Sequence, residues 1–108
     1  MNDRLTPHIA LTKLAQAEGT ELLEVFRHGT LEVEFYKPNK IDRQQVHKRD
    51  EIYVVVSGTG YFVKGFERCP FQTGEFIFVP AGVEHWFDDF SDDFATWVFF
   101  YGPEGGEQ

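Results

Sequence analysis

Cysteine is almost missing from this chain. Cys69 stands alone, so no internal disulfide can form, and a thiolate metal cluster would need ligands from a second chain. Long apolar runs are missing too. Nowhere do the roughly eighteen consecutive apolar residues of a membrane-spanning helix occur. The N-terminal stretch "MNDRLTPHIALTKLAQAEG" lacks the charged start and unbroken apolar middle of a signal peptide. The expectation is a cytoplasmic protein with no membrane partner. Positive charge is scarce: ten Lys and Arg face eighteen Asp and Glu, for a net charge of −8. The basic residues are scattered, which argues against nucleic acid as a partner.

What the chain has instead is aromatic residues, 17% of the total with twelve Phe, and short Val-, Ile- and Tyr-rich runs broken by Gly, Pro and Asn. That is the composition of packed β structure. The length of 108 residues fits one domain, 1–108, with a core but no second catalytic unit. Thr12 is the expected cap of a short N-terminal helical segment through "LTKLAQAE", followed by Gly19. "LLEVF" and "LEVEFY", joined by "RHGT", predict a hairpin in which Leu31, Val33 and Phe35 face a core, and Glu32, Glu34 and Tyr36 face water. "EIYVVVS" is apolar on both alternating faces and predicts a strand covered on both sides. "YFVKG", "GEFIFVP", "EHWF" and "FATWVFFYG" continue the strand-and-turn pattern of a sandwich or barrel. The tail "PEGGEQ" is too short and polar to fold alone.

Potential metal ligands crowd the approach to the central strand. In "QQVHKRDEIYVVV", Gln45, His47 and Glu51 are separated by even numbers of residues and share a face wherever the chain is extended. Asp50 alternates outward as a solvated residue, and becomes the substitute ligand if the register slips by one. His85, in "VPAGVEHWF", follows a turn shaped by Pro80 and Gly82. His8 and His28 lie apart from these segments and are expected at the surface.

These two segments resemble the paired motifs of the cupin superfamily, small jelly-roll (double-stranded β-helix) barrels that hold a metal inside. In the first motif, two histidines one residue apart precede a glutamate and then a glycine; here Gln45, His47, Glu51 and Gly58 stand at those positions. The second, with glycine, proline, glycine and histidine, matches Gly74, Pro80, Gly82 and His85, with Asp89 where asparagine is common. The match covers residues 45–58 and 74–89. The resemblance implies an all-β cupin barrel with Gln45, His47, Glu51 and His85 as metal site, Gln45 replacing an imidazole with an amide oxygen or acting as a neighbouring donor.

Two imidazoles, a carboxylate and an amide suit a divalent metal ion such as Fe, Zn, Ni or Mn, with open positions for a small-molecule substrate. The implied activity is that of a metal-dependent dioxygenase or an isomerase or lyase, with no separate catalytic base evident in the sequence. The alternatives are a non-catalytic small-ligand sensor and a structural dimer with a degenerate site. Tyr53, Phe62, Phe76, Phe78, Trp86 and Trp97 are the aromatic candidates for a water-excluding lining. The resemblance also implies a homodimer.

Overall fold

The computed structural model of the protein describes residues 3–108. One helix, α1 (Pro7–Gln16), precedes eight strands: β1 (Leu22–His28), β2 (Leu31–Tyr36), β3 (Asp50–Ser57), β4 (Gly60–Lys64), β5 (Glu67–Phe71), β6 (Phe76–Val79), β7 (His85–Asp88) and β8 (Ala95–Tyr101). They form a five-stranded sheet ordered β1-β2-β8-β3-β6 and a three-stranded sheet ordered β5-β4-β7. All pairings are antiparallel. This is the expected all-β jelly-roll barrel.

The helix starts earlier than expected. Thr6, not Thr12, is the cap: its hydroxyl accepts from the Ile9 N–H at 3.1 Å, and Pro7 opens the helix. Proline suits that first position because its missing N–H would have had no helical partner anyway. Thr12 lies mid-helix and turns its hydroxyl back to the His8 carbonyl, 2.9 Å away.

Two cores result. Inside the barrel Tyr36, Tyr53, Val55, Ile77, Val79 and Val98 of the larger sheet meet Phe62, Phe71, Phe87 and Phe94. Outside it, Ala10 and Leu14 of α1 pack on Phe35 and Ala95. This second core reverses the expected hairpin. Phe35 and Val33 look outward toward the helix side, whereas Tyr36 belongs to the barrel core. Glu32 and Glu34, which share the face of Tyr36, therefore line the lumen and are half-buried rather than solvated.

Strand β3 departs from expectation in the complementary way. Tyr53 and Val55 are fully enclosed in the lumen, but Ile52 and Val54 on the outer face are only partly covered. Their neighbours Phe76 and Phe78 on β6 remain 62% and 39% exposed. Of the aromatic lining candidates, Tyr53 and Phe62 point inward. Phe76, Phe78, Trp86 and Trp97 do not belong to the inner core, whose remaining aromatic wall is built by Phe71, Phe87 and Phe94.

The turn after β3 is set by Gly58. Its φ of +91° is left-handed, and a Cβ there would lie 2.6 Å from the Phe94 Cα. Only glycine allows the two chains to approach this closely.

Candidate metal centre

Glu51, the second residue of β3, projects into the lumen and is fully buried. His85 opens β7 on the facing sheet and is 3% exposed. His47 lies in the loop before β3, its side chain partly open to solvent. One ligand atom from each lies within 4.8 Å of the others. Glu51 Oε1 is 2.9 Å from His85 Nε2 and 3.9 Å from His47 Nε2. The three residues come together because β3 and β7 belong to opposite walls and the 41–49 segment crosses the mouth between them.

The hydrogen bonds around His85 define its free nitrogen. Its Nδ1–H donates to the Val83 carbonyl at 2.8 Å, so in the neutral ring Nε2 presents a lone pair toward Glu51. Neither Glu51 oxygen receives an aligned hydrogen bond, although both are buried. Two facing acceptors at 2.9 Å, one of them an enclosed carboxylate, need a cation or a proton between them. The donor set and this orphaned carboxylate both fit a divalent ion. At His85 a proton is the alternative occupant. Burial works to lower the His85 pKa, but the Glu51 carboxylate and the Val83 carbonyl outweigh it and raise the pKa above the ordinary histidine value. For His47 burial dominates and lowers the pKa, despite the pull of Glu51.

Gln45 does not join this cluster; its side chain is exposed. Its neighbour Gln44 does. The Gln44 Oε1 lies 3.4 Å from His47 Nε2 and accepts the Tyr53 hydroxyl at 2.9 Å. The even-spacing argument fails here because the chain before Asp50 is irregular rather than extended. Tyr53, expected only as an aromatic of the lining, is also a polar member of the site: its hydroxyl reaches within 3.0 Å of His85 Nε2. The signal was its position two residues beyond Glu51 on the same strand face. Burial chiefly, and then the Glu51 charge, hold the Tyr53 pKa well above its usual value, so this phenol stays protonated.

Asp50 is neither solvated nor a ligand substitute. It is buried, with Oδ1 accepting from Ala81 N–H at 3.0 Å and Oδ2 from Glu107 N–H at 2.8 Å. These two backbone donors hold its pKa below the usual carboxylate range. Gly82 N–H donates to the His47 carbonyl and Gly105 N–H to that of Lys48. The turn before His85, the His47 loop and the C-terminal tail are thereby laced together.

At the mouth, Arg49 bonds Glu32 at 2.9 Å and the Gly102 carbonyl at 3.0 Å, and also reaches the Thr30 carbonyl. Phe100 packs edge-on to the His47 ring. An open pocket lies beside them, lined by Glu32, His47, Lys48, Arg49, Phe100 and Glu104. Glu34, on the lumen face, pairs with Val98 of β8, which in turn pairs with Tyr53. Burial, then the charges of Glu32, Glu51 and Glu24, raise its pKa to about 7, with Arg27 opposing. His8 and His28 are exposed, as expected.

A jelly-roll barrel with a His–Glu–His cluster inside it defines a cupin. Residues 13–108 match the ARD/ARD' family, and the chain belongs to that family. An uncharacterised Streptomyces coelicolor protein is 36% identical over 84 residues, 76% of this chain and 80% of that protein. The acireductone dioxygenase of Parasynechococcus marenigrum is 35% identical over 72 residues, 62% of this chain; the match spans only 39% of that enzyme's length. Among solved structures, a cupin 2 conserved barrel domain protein from Salinispora arenicola superposes with a TM-score of 0.69 at 16% identity, covering 92% of this chain and 88% of that one. A Thermus thermophilus protein gives 0.69 at 21% identity, covering 95% and 100%. Among the described residues no helix is long and apolar enough to cross a membrane.

Proposed function

We propose that the barrel holds a divalent metal ion through His47, Glu51 and His85, and that it works as a metal-dependent enzyme of the dioxygenase type on a small oxygen-bearing organic molecule. The observation that carries this reading is the Glu51 carboxylate, wholly buried without a hydrogen-bond donor and 2.9 Å from an imidazole nitrogen whose ring partner is already committed. Two histidines and one carboxylate with positions left open are the donor set associated with oxygen-activating non-haem iron. When bound, such an ion supplies a Lewis-acid centre and, if redox-active, a route for dioxygen chemistry.

The chain's own residues supply the rest. Phe62, Phe87 and Tyr53 wall the inner side of the cluster and exclude water there, which strengthens every electrostatic interaction within. Substrate entry is on the His47 side, past Phe100. Glu34 stands two strands from Tyr53 on the lumen face, roughly 9–10 Å away by strand spacing. With a pKa of about 7 it is poised to take a proton from a substrate hydroxyl near neutral pH. The family membership and the similarity to the Parasynechococcus marenigrum acireductone dioxygenase make acireductone the first substrate to try.

The test is elemental analysis of protein purified without added metal, followed by oxygen-electrode measurements with acireductone, diols, thiols and keto acids. Bound metal in the wild type, lost in His47→Ala and His85→Ala, together with substrate-dependent oxygen uptake is the expected result. A protein that neither carries nor takes up Fe, Zn, Ni or Mn overturns the metal reading. An iron-loaded protein that consumes no oxygen with any of these substrates removes the dioxygenase assignment.

A further inference from the structure

The Gln44 side chain is held so that only one of its two ends can face the cluster. Its Nε2 donates to Asp42 Oδ2 at 3.0 Å, and a carboxylate oxygen accepts but cannot donate, so the amide nitrogen must point there and Oε1 must point inward. Asp42 is itself immobilised: Oδ1 accepts the Tyr36 hydroxyl at 2.6 Å and the Gln44 backbone N–H at 3.0 Å, while Oδ2 accepts the Phe87 N–H at 2.8 Å. The amide is thus braced from both walls of the barrel. Its inward oxygen has two lone pairs; one takes the Tyr53 hydroxyl, and the other faces His47 Nε2 at 3.4 Å, where it accepts a hydrogen bond in the tautomer that carries its proton on Nε2 and is free for an ion in the other.

The spacing of the polar atoms matches a shared ion. Ligands about 2.0–2.2 Å from one metal sit roughly 3–4 Å from each other. Gln44 Oε1 to His47 Nε2 is 3.4 Å, His85 Nε2 to Glu51 Oε1 is 2.9 Å and His47 Nε2 to Glu51 Oε1 is 3.9 Å.

We propose that Gln44, through Oε1, is the fourth protein donor to the metal ion, with Asp42 and Tyr53 as the residues that position it. The inference rests on the metal reading above. It has a chemical consequence: the site becomes two nitrogens and two oxygens, with a neutral carbonyl in place of a third imidazole. Carbonyl oxygen favours harder ions such as Mn(II), and imidazole favours Ni(II) and Zn(II). Gln44 therefore tilts the site toward the harder members of its metal range.

The experiment compares the wild type, Gln44→Ala, Gln45→Ala and Gln44→His, each stripped of metal and titrated with Mn(II) and Ni(II) against a competing chelator; circular dichroism checks folding. Gln45→Ala is expected to match the wild type. Gln44→Ala is expected to weaken both metals by at least the roughly tenfold that loss of even an outer supporting group costs, and to change the visible spectrum of the Co(II)-loaded protein. Gln44→His, which retains a donor if Gln44→Ala fails to fold, is expected to raise the Ni(II)/Mn(II) affinity ratio. Unchanged affinity and Co(II) spectrum in Gln44→Ala, or an unchanged ratio in Gln44→His, with a wild type that does bind metal, overturns the role of Gln44 and leaves the three-residue centre standing. A wild type that binds none of the three metals overturns both.

Discussion

Glu34 offers a direct measurement of how the lumen treats charge. Its pKa rises from an ordinary 4.5 to about 7 because burial and three neighbouring carboxylates disfavour the ionised form. In the unfolded chain Glu34 loses its proton near its ordinary value, whereas in the folded protein it keeps that proton until about pH 7. Between those two values the folded state binds more protons, so stability is full below the lower pKa and falls as pH rises through the upper one. The rise corresponds to roughly 3 kcal/mol without screening. Glu34 is only partly buried, and solvent reduces this to about 1–2 kcal/mol. Urea unfolding of metal-free wild type and Glu34→Gln, at about pH 5 and about pH 8, isolates the contribution as a difference of differences. The variant is expected to lose about 1–2 kcal/mol less than the wild type over that interval. Identical pH dependence in the two proteins would refute the argument that the hairpin's acidic face lines the barrel. A bound cation should draw the Glu34 pKa back down, so the difference between the two proteins is expected to shrink when metal is added.

Other consequences are equally open to measurement. Metal at about a hundred times its Kd should stabilise the wild type by about 2.7 kcal/mol, a rise in Tm on the order of 10 °C for a domain of this size, and His85→Ala should abolish the rise; a shift retained in that variant would place the ion elsewhere. Gly58→Ala combines a left-handed φ with a 2.6 Å approach to the Phe94 Cα, and is expected to cost at least about 2 kcal/mol, whereas a chemical denaturation midpoint within error of the wild type would mean that the turn relaxes easily. The partly covered outer face around Ile52, Val54, Phe76 and Phe78 is the expected meeting surface of a homodimer. Light scattering should show the pair in the wild type and a monomer in Phe78→Asp, and a wild type that is already monomeric would dispose of that expectation.

The parts of this protein legible in its sequence are those governed by local rules. Glu51 and Tyr53 obey strand alternation, and the turn at Pro80 and Gly82 delivers His85 to the start of β7 as its residue types suggest. Alternation fails where the backbone leaves the β region. The 41–49 segment is irregular, and so the choice between Gln44 and Gln45 depends on Asp42, whose four bonds come from Tyr36, Phe87 and Gln44 itself. No short window contains that information. The hairpin shows another limit. Alternation correctly separates Glu32, Glu34 and Tyr36 from Leu31, Val33 and Phe35, but which set faces inward is decided by α1, which covers Phe35, and by the polar mouth, which accepts the glutamates. Asp50 was misplaced for a related reason: its partners Ala81 and Glu107 lie 31 and 57 residues away in sequence.

The Asp50 knot has a practical side. Glu107 N–H is one of its two donors, Gly105 N–H ties to Lys48, and a side chain at Gly106 would press on the Asp50 carboxylate at 2.9 Å. Residues 105–107 thus fasten the loop that carries His47, although they contribute no ligand. Anyone attaching an affinity tag, a fluorophore or an immobilisation handle beside Glu107 would be pulling on the latch of the metal centre. A handle ahead of α1 leaves that latch untouched.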